Sequence, residues 1–213
     1  MKKEIQALSE REKKERVKRS LKYSIFDGSY YAAMVGFGES FFTAFAVFLK
    51  ATNFQIGLIG SLPQALGAAL QIFSNRLIHI FGSRKRLVCT LALLQGLMYI
   101  PVMLTFYFAK FSVFYLILFI SLYMIFGSII NPAWSSWMGD LVDENKRGSY
   151  FGKRNKITGM VSFVTFVIAG FMLQNFSDGA MMQYAGFAML FVVAFVSRIF
   201  SFVYLFKQYE PPY

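Results

Sequence analysis

Residues 143–155 read DENKRGSYFGKRN and carry six charged side chains, Asp143, Glu144, Lys146, Arg147, Lys153 and Arg154. Long apolar runs flank this wet stretch on both sides, and the contrast decides the fold. Across 213 residues the chain is 56% hydrophobic and 19% aromatic but only 15% charged. Soluble domains sit nearer half apolar and a quarter charged. The apolar excess falls in blocks of about 20 residues, the length a helix needs to cross roughly 30 Å of hydrocarbon. These blocks predict an all-α, polytopic membrane bundle of six transmembrane helices over 25–48, 55–77, 87–108, 112–137, 157–175 and 183–206. Connections as short as KATN (50–53) and FAKFS (108–112) join spans as antiparallel neighbours. The expected organisation is a basic tail over 1–22, a bundle over 23–207 and the start of a linker over 208–213.

A net charge of +11 would point to nucleic acid in a soluble protein. Its placement points elsewhere. Nineteen of the 22 Lys and Arg residues fall in the N-terminal tail, the loop after the second span, the loop after the fourth, and the C-terminal tail. Only Lys50, Lys110 and Arg198 fall outside these regions. The positive-inside rule then puts both termini and both long loops in the cytoplasm, which makes 143–155 a cytoplasmic loop of a multi-pass protein of the cell (inner) membrane. No nucleic acid partner is expected. A polar tail precedes the first apolar run, so no signal peptide is predicted. That tail, EIQALSEREKKERVKRS (4–20), pairs Glu10 with Lys14, Glu12 with Arg16 and Glu15 with Arg19 at helical spacing. It reads either as a helix near anionic headgroups or as a frayed, solvated tail. The single cysteine, Cys89, permits no internal disulfide.

Within a bilayer, small and polar residues at helical spacing mark the face that packs on protein or lines water. The second span shows Asn53, Gly57, Gly60, Gln64, Gly67, Gln71 and Asn75 in this rhythm. The first shows Gly28, Ala32, Gly36, Glu39 and Thr43; the fourth Ser121, Ser128, Asn131 and Ser135; the fifth Gly159, Ser162, Thr165 and Ala169. The third and sixth are bulkier, apart from Gln95, Gly96 and Arg198. Spans one, two, four and five are therefore expected to be covered and three and six peripheral, in two three-helix repeats. For the glycines the plain reading is close helix packing. Gln64, Gln71 and Asn131 either bond across helices or face a wet cavity.

Glu39 lies twelve residues beyond Asp27, about 18 Å along a helix axis. A carboxylate at that depth costs at least about 2.5–3.5 kcal/mol unless it is paired, hydrated or protonated. Glu39 is thus a candidate for a proton or substrate contact, and GFGES (36–40) for a bend. Arg198 is the natural partner for Glu39 or Asp27, between which spacing does not choose; alternatively it snorkels to the interface. Pro63, Pro101 and Pro132 are expected kinks. Trp134 and Trp137, in NPAWSSW (131–137), have the default role of interfacial anchors.

With these residues in hand, the chain resembles the N-terminal six-helix half of the major facilitator superfamily of secondary transporters. FGSRKRLV (81–88) is similar to the signature loop after the second helix, with Gly82 as the turn and Arg84, Lys85 and Arg86 as the basic cluster. DENKRGSYFGKRN is similar to the loop after the fourth helix through Arg147, Gly148, Gly152, Arg154 and Asn155. YEPPY (209–213) stands where the central linker of the family would begin. The chain departs from the signature where an acid is usual: His79 occupies that position, and Asn75 replaces the glycine four residues earlier. Asp140, at the end of span four, is the available substitute. His79 itself reads as an interfacial side chain.

The resemblance implies alternating access by two rocking halves about a site near the midplane. It would put Glu39, Asp27, Gln64, Gln71, Asn131 and Arg198 on a substrate or proton pathway. It would put Gly82, Arg84, Lys85, Arg86, Asp140, Arg147, Gly148 and Arg154 at a cytoplasmic gate. It implies a small-molecule substrate, lipid contacts, no cofactor, and either a missing C-terminal six-helix half or an oligomeric partner. An intramembrane hydrolase would need a serine–histidine pair within the bilayer, and no G-x-S-x-G occurs. One His and one Cys in different segments make a poor metal site. A non-transporting assembly subunit is the remaining alternative, and it has no need of an inward acid with paired glutamines.

Overall fold

The computed structural model of the chain describes residues 2–211, with side chains described from Glu10 to Pro211. The side chains of Lys2 and Lys3 and the last two residues of YEPPY lie outside those bounds. Among the described residues there is no strand. Nine α-helices follow in order: α1 (Lys2–Phe37), α2 (Phe42–Phe48), α3 (Asn53–Leu70), α4 (Ser74–Phe81), α5 (Arg84–Leu97), α6 (Tyr99–Leu104), α7 (Ser112–Leu141), α8 (Arg147–Gln174) and α9 (Ala180–Lys207). Short 3₁₀ turns at Glu39–Phe41, Gln71–Phe73, Thr105–Phe111 and Glu144–Lys146 punctuate them.

Five stretches are long and apolar enough to cross a membrane: Glu10–Phe48, Asn53–Phe81, Arg84–Leu141, Glu144–Gln174 and Ala180–Lys207. The third runs for 58 residues and is a hairpin. Ala109, at φ 45° and ψ −114°, reverses the chain, so α5 and α6 run back along α7. Three of the other four reversals also use positive φ, Lys50 at 61°, Gly82 at 63° and Gly179 at 90°, while the 142–146 turn does not. Gly82 ends α4 in the left-handed region, where the missing Cβ removes the strain. The result is six rods, (α1, α2), (α3, α4), (α5, α6), α7, α8 and α9.

Local chemistry explains the breaks. The first rod bends at Gly38, whose φ of −114° and ψ of −70° distort the regular helix, where φ is about −63° and ψ about −42°. A methyl group at Gly38 would collide with Tyr99 Oη and Ala194 Cβ, so glycine lets the bend nestle against α6 and α9. Pro101 breaks the third rod: its ring clashes with the carbonyl four residues back, and Leu97 is where α5 stops. The helix passes through Pro63 and Pro132 without interruption, and the second rod breaks instead at Gln71–Phe73. Thr52 caps α3: Gln55 N donates to its Oγ1 at 3.3 Å, while Thr52 N donates to Gln55 Oε1 at 2.9 Å. The tail is continuous with the first rod in α1, so it prolongs that rod rather than starting a separate element. None of its three expected Glu–Lys/Arg pairs closes to an ion pair among the described residues.

Lateral packing runs in the order α8, α1, α9, α5, α7, α3. This corrects the expected division into covered and peripheral spans. The third and sixth rods sit inside the arc: α5 buries Leu87, Val88, Ala92, Gln95 and Gly96, and α9 buries Phe191, Ala194, Arg198 and Ser201. Rods two and five form its two open ends, and α8 buries only Ala169. Bulky residues pack centrally because dispersion between many apolar atoms drives helix association in lipid, alongside small residues that allow close approach. The stripes of rods one and five do meet, with Gly36 against Thr165 and the Ser162 carbonyl. Those of rods two and four meet at Gly67 and Ser128.

Two apolar clusters fill the bundle. One, at the end of the KATN and FAKFS turns, gathers Phe41, Phe42, Phe45, Tyr99, Tyr123, Phe187 and Phe191. The other, at the end of the basic loops, gathers Leu87, Val88, Trp137, Met138, Leu141 and Leu205. Trp137 is fully buried and its Nε1 donates to the Tyr209 carbonyl at 3.0 Å, while Trp134 stacks on Arg154. Neither tryptophan is an interfacial anchor, because each has a protein partner that lipid would displace. A polar layer separates the two clusters.

Candidate solute site and basic corner

The polar layer centres on Asp27, only 3% exposed. Ser201 Oγ donates to Asp27 Oδ1 at 2.7 Å, and Arg198 Nη1 donates to Ser201 Oγ at 3.0 Å. Arg154 Nη2 approaches Asp27 Oδ2 at 3.7 Å, and its Nε donates to the Ser24 carbonyl at 3.2 Å. Asp27 therefore joins α1, α8 and α9. The Arg198 guanidinium stacks on Tyr31 at 5.0 Å, and that of Arg154 on Trp134 at 4.2 Å. Arg198 is 3% exposed, which rules out snorkelling, and its hydrogen-bonded path leads through Ser201 to Asp27, whereas Glu39 takes its hydrogen bond from Tyr123. Charge-assisted hydrogen bonds of this kind are roughly twice as strong as neutral ones, and a low dielectric raises the stakes of each.

Asp27, Tyr31, Gln95, Asn131, Trp134, Arg154 and Arg198 line a cavity of about 110 Å³ between the two clusters. Gln95 fits because Gly127 faces it across α7, where a Cβ would meet the amide nitrogen at 2.7 Å. Gly96 likewise admits the Arg198 stem.

Glu39 stands apart from this cavity. Tyr123 Oη donates to Glu39 Oε2 at 2.8 Å, and Tyr99 Oη lies 3.4 Å from Tyr123 Oη. Both tyrosines are fully buried. Gln64 and Gln71 are exposed on the open end of the arc and line no part of the cavity, whereas Asn131 does. Tyr31, Tyr99, Tyr123, Trp134 and Ser201 are members that spacing alone missed. The signal available was three tyrosines in mid-span, since a buried phenol needs a hydrogen-bond partner.

The residues expected at the gate converge at one end of the bundle, except Arg154, whose ion pair with Asp27 holds it in the ionic layer instead. Arg84, 1% exposed, bonds Asp140 Oδ2 at 2.7 Å and Ser136 Oγ at 3.0 Å. Ser83 caps α5 by accepting from Arg86 N at 3.0 Å, and its hydroxyl donates to Glu210. Lys85 reaches the same strand of chain, its N donating to Glu210 Oε1 at 3.1 Å and its Nζ to the Gln208 carbonyl at 2.8 Å. Tyr209 N donates to Ser20 Oγ at 2.7 Å. Arg147 Nη2 donates to the Gly139 carbonyl at 2.7 Å, closing the 142–146 turn. Gly148 and Arg86 are exposed, and His79 is exposed on the last turn of α4. Both basic loops, the Ser20–Leu21 turn of α1 and residues 208–210 thus meet at a single corner. Among the described residues no group of three or more His, Cys, Asp or Glu converges on a possible metal position.

A bundle of apolar rods around a buried ionic layer defines an integral, multi-pass membrane protein. Residues 29–213 match the Major Facilitator Superfamily, and the chain belongs to that family. No curated protein and no solved structure matches it. Membership carries membrane solute transport at the level of the superfamily, whose members are transporters rather than enzymes. The matched region starts two residues after Asp27.

Proposed function

We propose that the chain forms the N-terminal six-crossing half of a secondary transporter for a small solute, in the cell (inner) membrane, with both termini and both basic loops in the cytoplasm. The observation that carries this reading is the ionic layer of Asp27, Arg154 and Arg198 around a cavity between two apolar plugs. Buried charges at membrane depth are costly and mark ion or substrate pathways. The open ends of the arc, with Gln64 and Gln71 on exposed α3, suit a second six-helix half that would complete the pathway. The two halves would rock about the cavity, and the Arg84–Asp140 corner would stiffen the cytoplasmic end of this one as it moves.

Glu39 serves as the proton-coupling group. It sits on the Gly38 bend with the Tyr123 hydroxyl as its partner, so a change in its protonation alters a hydrogen bond at the hinge of the first rod. In the intact transporter, Glu39→Gln is expected to abolish proton-driven uptake and leave counterflow exchange running, measured in proteoliposomes with and without a pH gradient. Concentrative uptake at the wild-type rate would remove the coupling role.

A further inference from the structure

We propose that the cavity receives the carboxylate of a small monoanionic organic acid, an inference that rests on the transporter reading and names its substrate class. Two guanidiniums, Arg154 and Arg198, line the cavity against one carboxylate, Asp27. Asp27 is already engaged by Ser201 and Arg154. Glu39, the other acid inside the bundle, is no part of the wall and takes its hydrogen bond from Tyr123. The local balance is therefore one positive charge, which one monoanion neutralises. A dianionic phosphate would leave a negative charge buried in its place.

The hydrogen-bonding groups agree with the charge. Arg198 Nε and Trp134 Nε1 are buried donors with no acceptor in the protein, and both residues line the cavity. Arg198 is held rigidly by Ser201 and the Tyr31 ring, so its planar fork is already oriented. Asn131 adds an amide at the exposed side of the wall. Gln95 Oε1, a buried acceptor without a donor, suits a hydroxyl next to the carboxylate. Size is the last constraint. One water needs only about 10–15 Å³ of such volume, so about 110 Å³ admits a small organic group. That accommodates a carboxylate and its α-carbon, with the rest of the solute extending past Asn131.

The test is calorimetric titration of the full chain at neutral pH with acetate, lactate and benzoate, each against its amide. Every carboxylate that binds is expected to do so roughly tenfold or more tightly than its amide, as a lost charge-assisted pair demands. Arg198→Gln should remove that preference, and Arg198→Lys should restore only part of it because a point charge replaces the fork. If Arg198→Gln fails to fold by circular dichroism, Trp134→Phe, which keeps the ring and drops the N–H, must weaken carboxylate binding. Equal binding of acids and amides, binding of no carboxylate at all, or an undiminished preference in these variants overturns the proposal. Proteoliposome uptake by the intact transporter, this half together with its second half, separates the two claims. Carboxylate binding without transport of any solute sinks the transporter reading alone, and uptake of a neutral solute without carboxylate binding sinks this inference alone.

Discussion

Asp27→Ala is expected to be the most damaging single substitution in the chain. Asp27 is 3% exposed and is the acid against which Arg154 and, through Ser201, Arg198 are arranged. Removing one partner from a buried ionic cluster costs about 3–5 kcal/mol, because the remaining charge stays desolvated without compensation. For a chain of this length that corresponds to a fall in melting temperature on the order of 10 °C. Thermal unfolding of the purified protein, followed by circular dichroism, measures it. Asp27→Asn should cost less, since the amide still accepts from Ser201. Adding Arg198→Met to Asp27→Ala should recover part of the loss by removing one stranded cation. A change in melting temperature too small to resolve for Asp27→Ala would mean that the cluster does not hold α1, α8 and α9 together.

Arg84→Ala should produce the second largest effect, at the opposite depth. The side chain is 1% exposed and joins α5 to α7 through Asp140 and Ser136. Hydrogen bonds to charged groups contribute about 1.5–3 kcal/mol, and the lost stem packing adds to this. The Asp140 side chain is 52% exposed, so solvent screens the pair and the lower part of that range applies. The more specific readout is local. Glu210 accepts from Ser83 and from Lys85 N, so loosening the α5 corner should release residues 208–210 as well. Hydrogen exchange should quicken at both segments together in Arg84→Ala, and at neither in Lys146→Ala, whose pair with Asp143 is largely solvated. Acceleration confined to α5 would mean that the two segments are not coupled.

How much of this was legible in the sequence follows from what each signal encodes. Apolar block length reports the number of rods, because hydrocarbon thickness is fixed, and the short turns after Lys50 and Ala109 report their antiparallel pairing. The clustering of bases anticipates that loops 81–88 and 143–155 share one end, where Arg84 meets Asp140. The Gly38 bend was legible because only glycine tolerates so close an approach of Tyr99 and Ala194. The lateral order of the rods was not. Small-residue stripes say that a face is approached closely, but not by which helix, so rods two and five looked covered when they are the ends of an arc. The partner of Arg198 was undecidable for a similar reason. Axial distance along one helix does not give the azimuth of another, and Ser201, the bridging hydroxyl, is one serine among many apolar neighbours. Trp134 and Trp137 misled because interfacial depth suits both a lipid anchor and a protein contact.

The central claim is that six apolar rods cross the membrane, with both basic loops and both chain ends on the cytoplasmic side. Single cysteines at Arg86, Ser149, Thr52 and Ser177, placed in a Cys89→Ser chain, test it directly with a membrane-impermeant maleimide on intact cells. All four positions are exposed. The account predicts labelling at 52 and 177 in intact cells, and at 86 and 149 only after the cells are opened. Labelling of 86 and 149 from opposite sides of the membrane would contradict it.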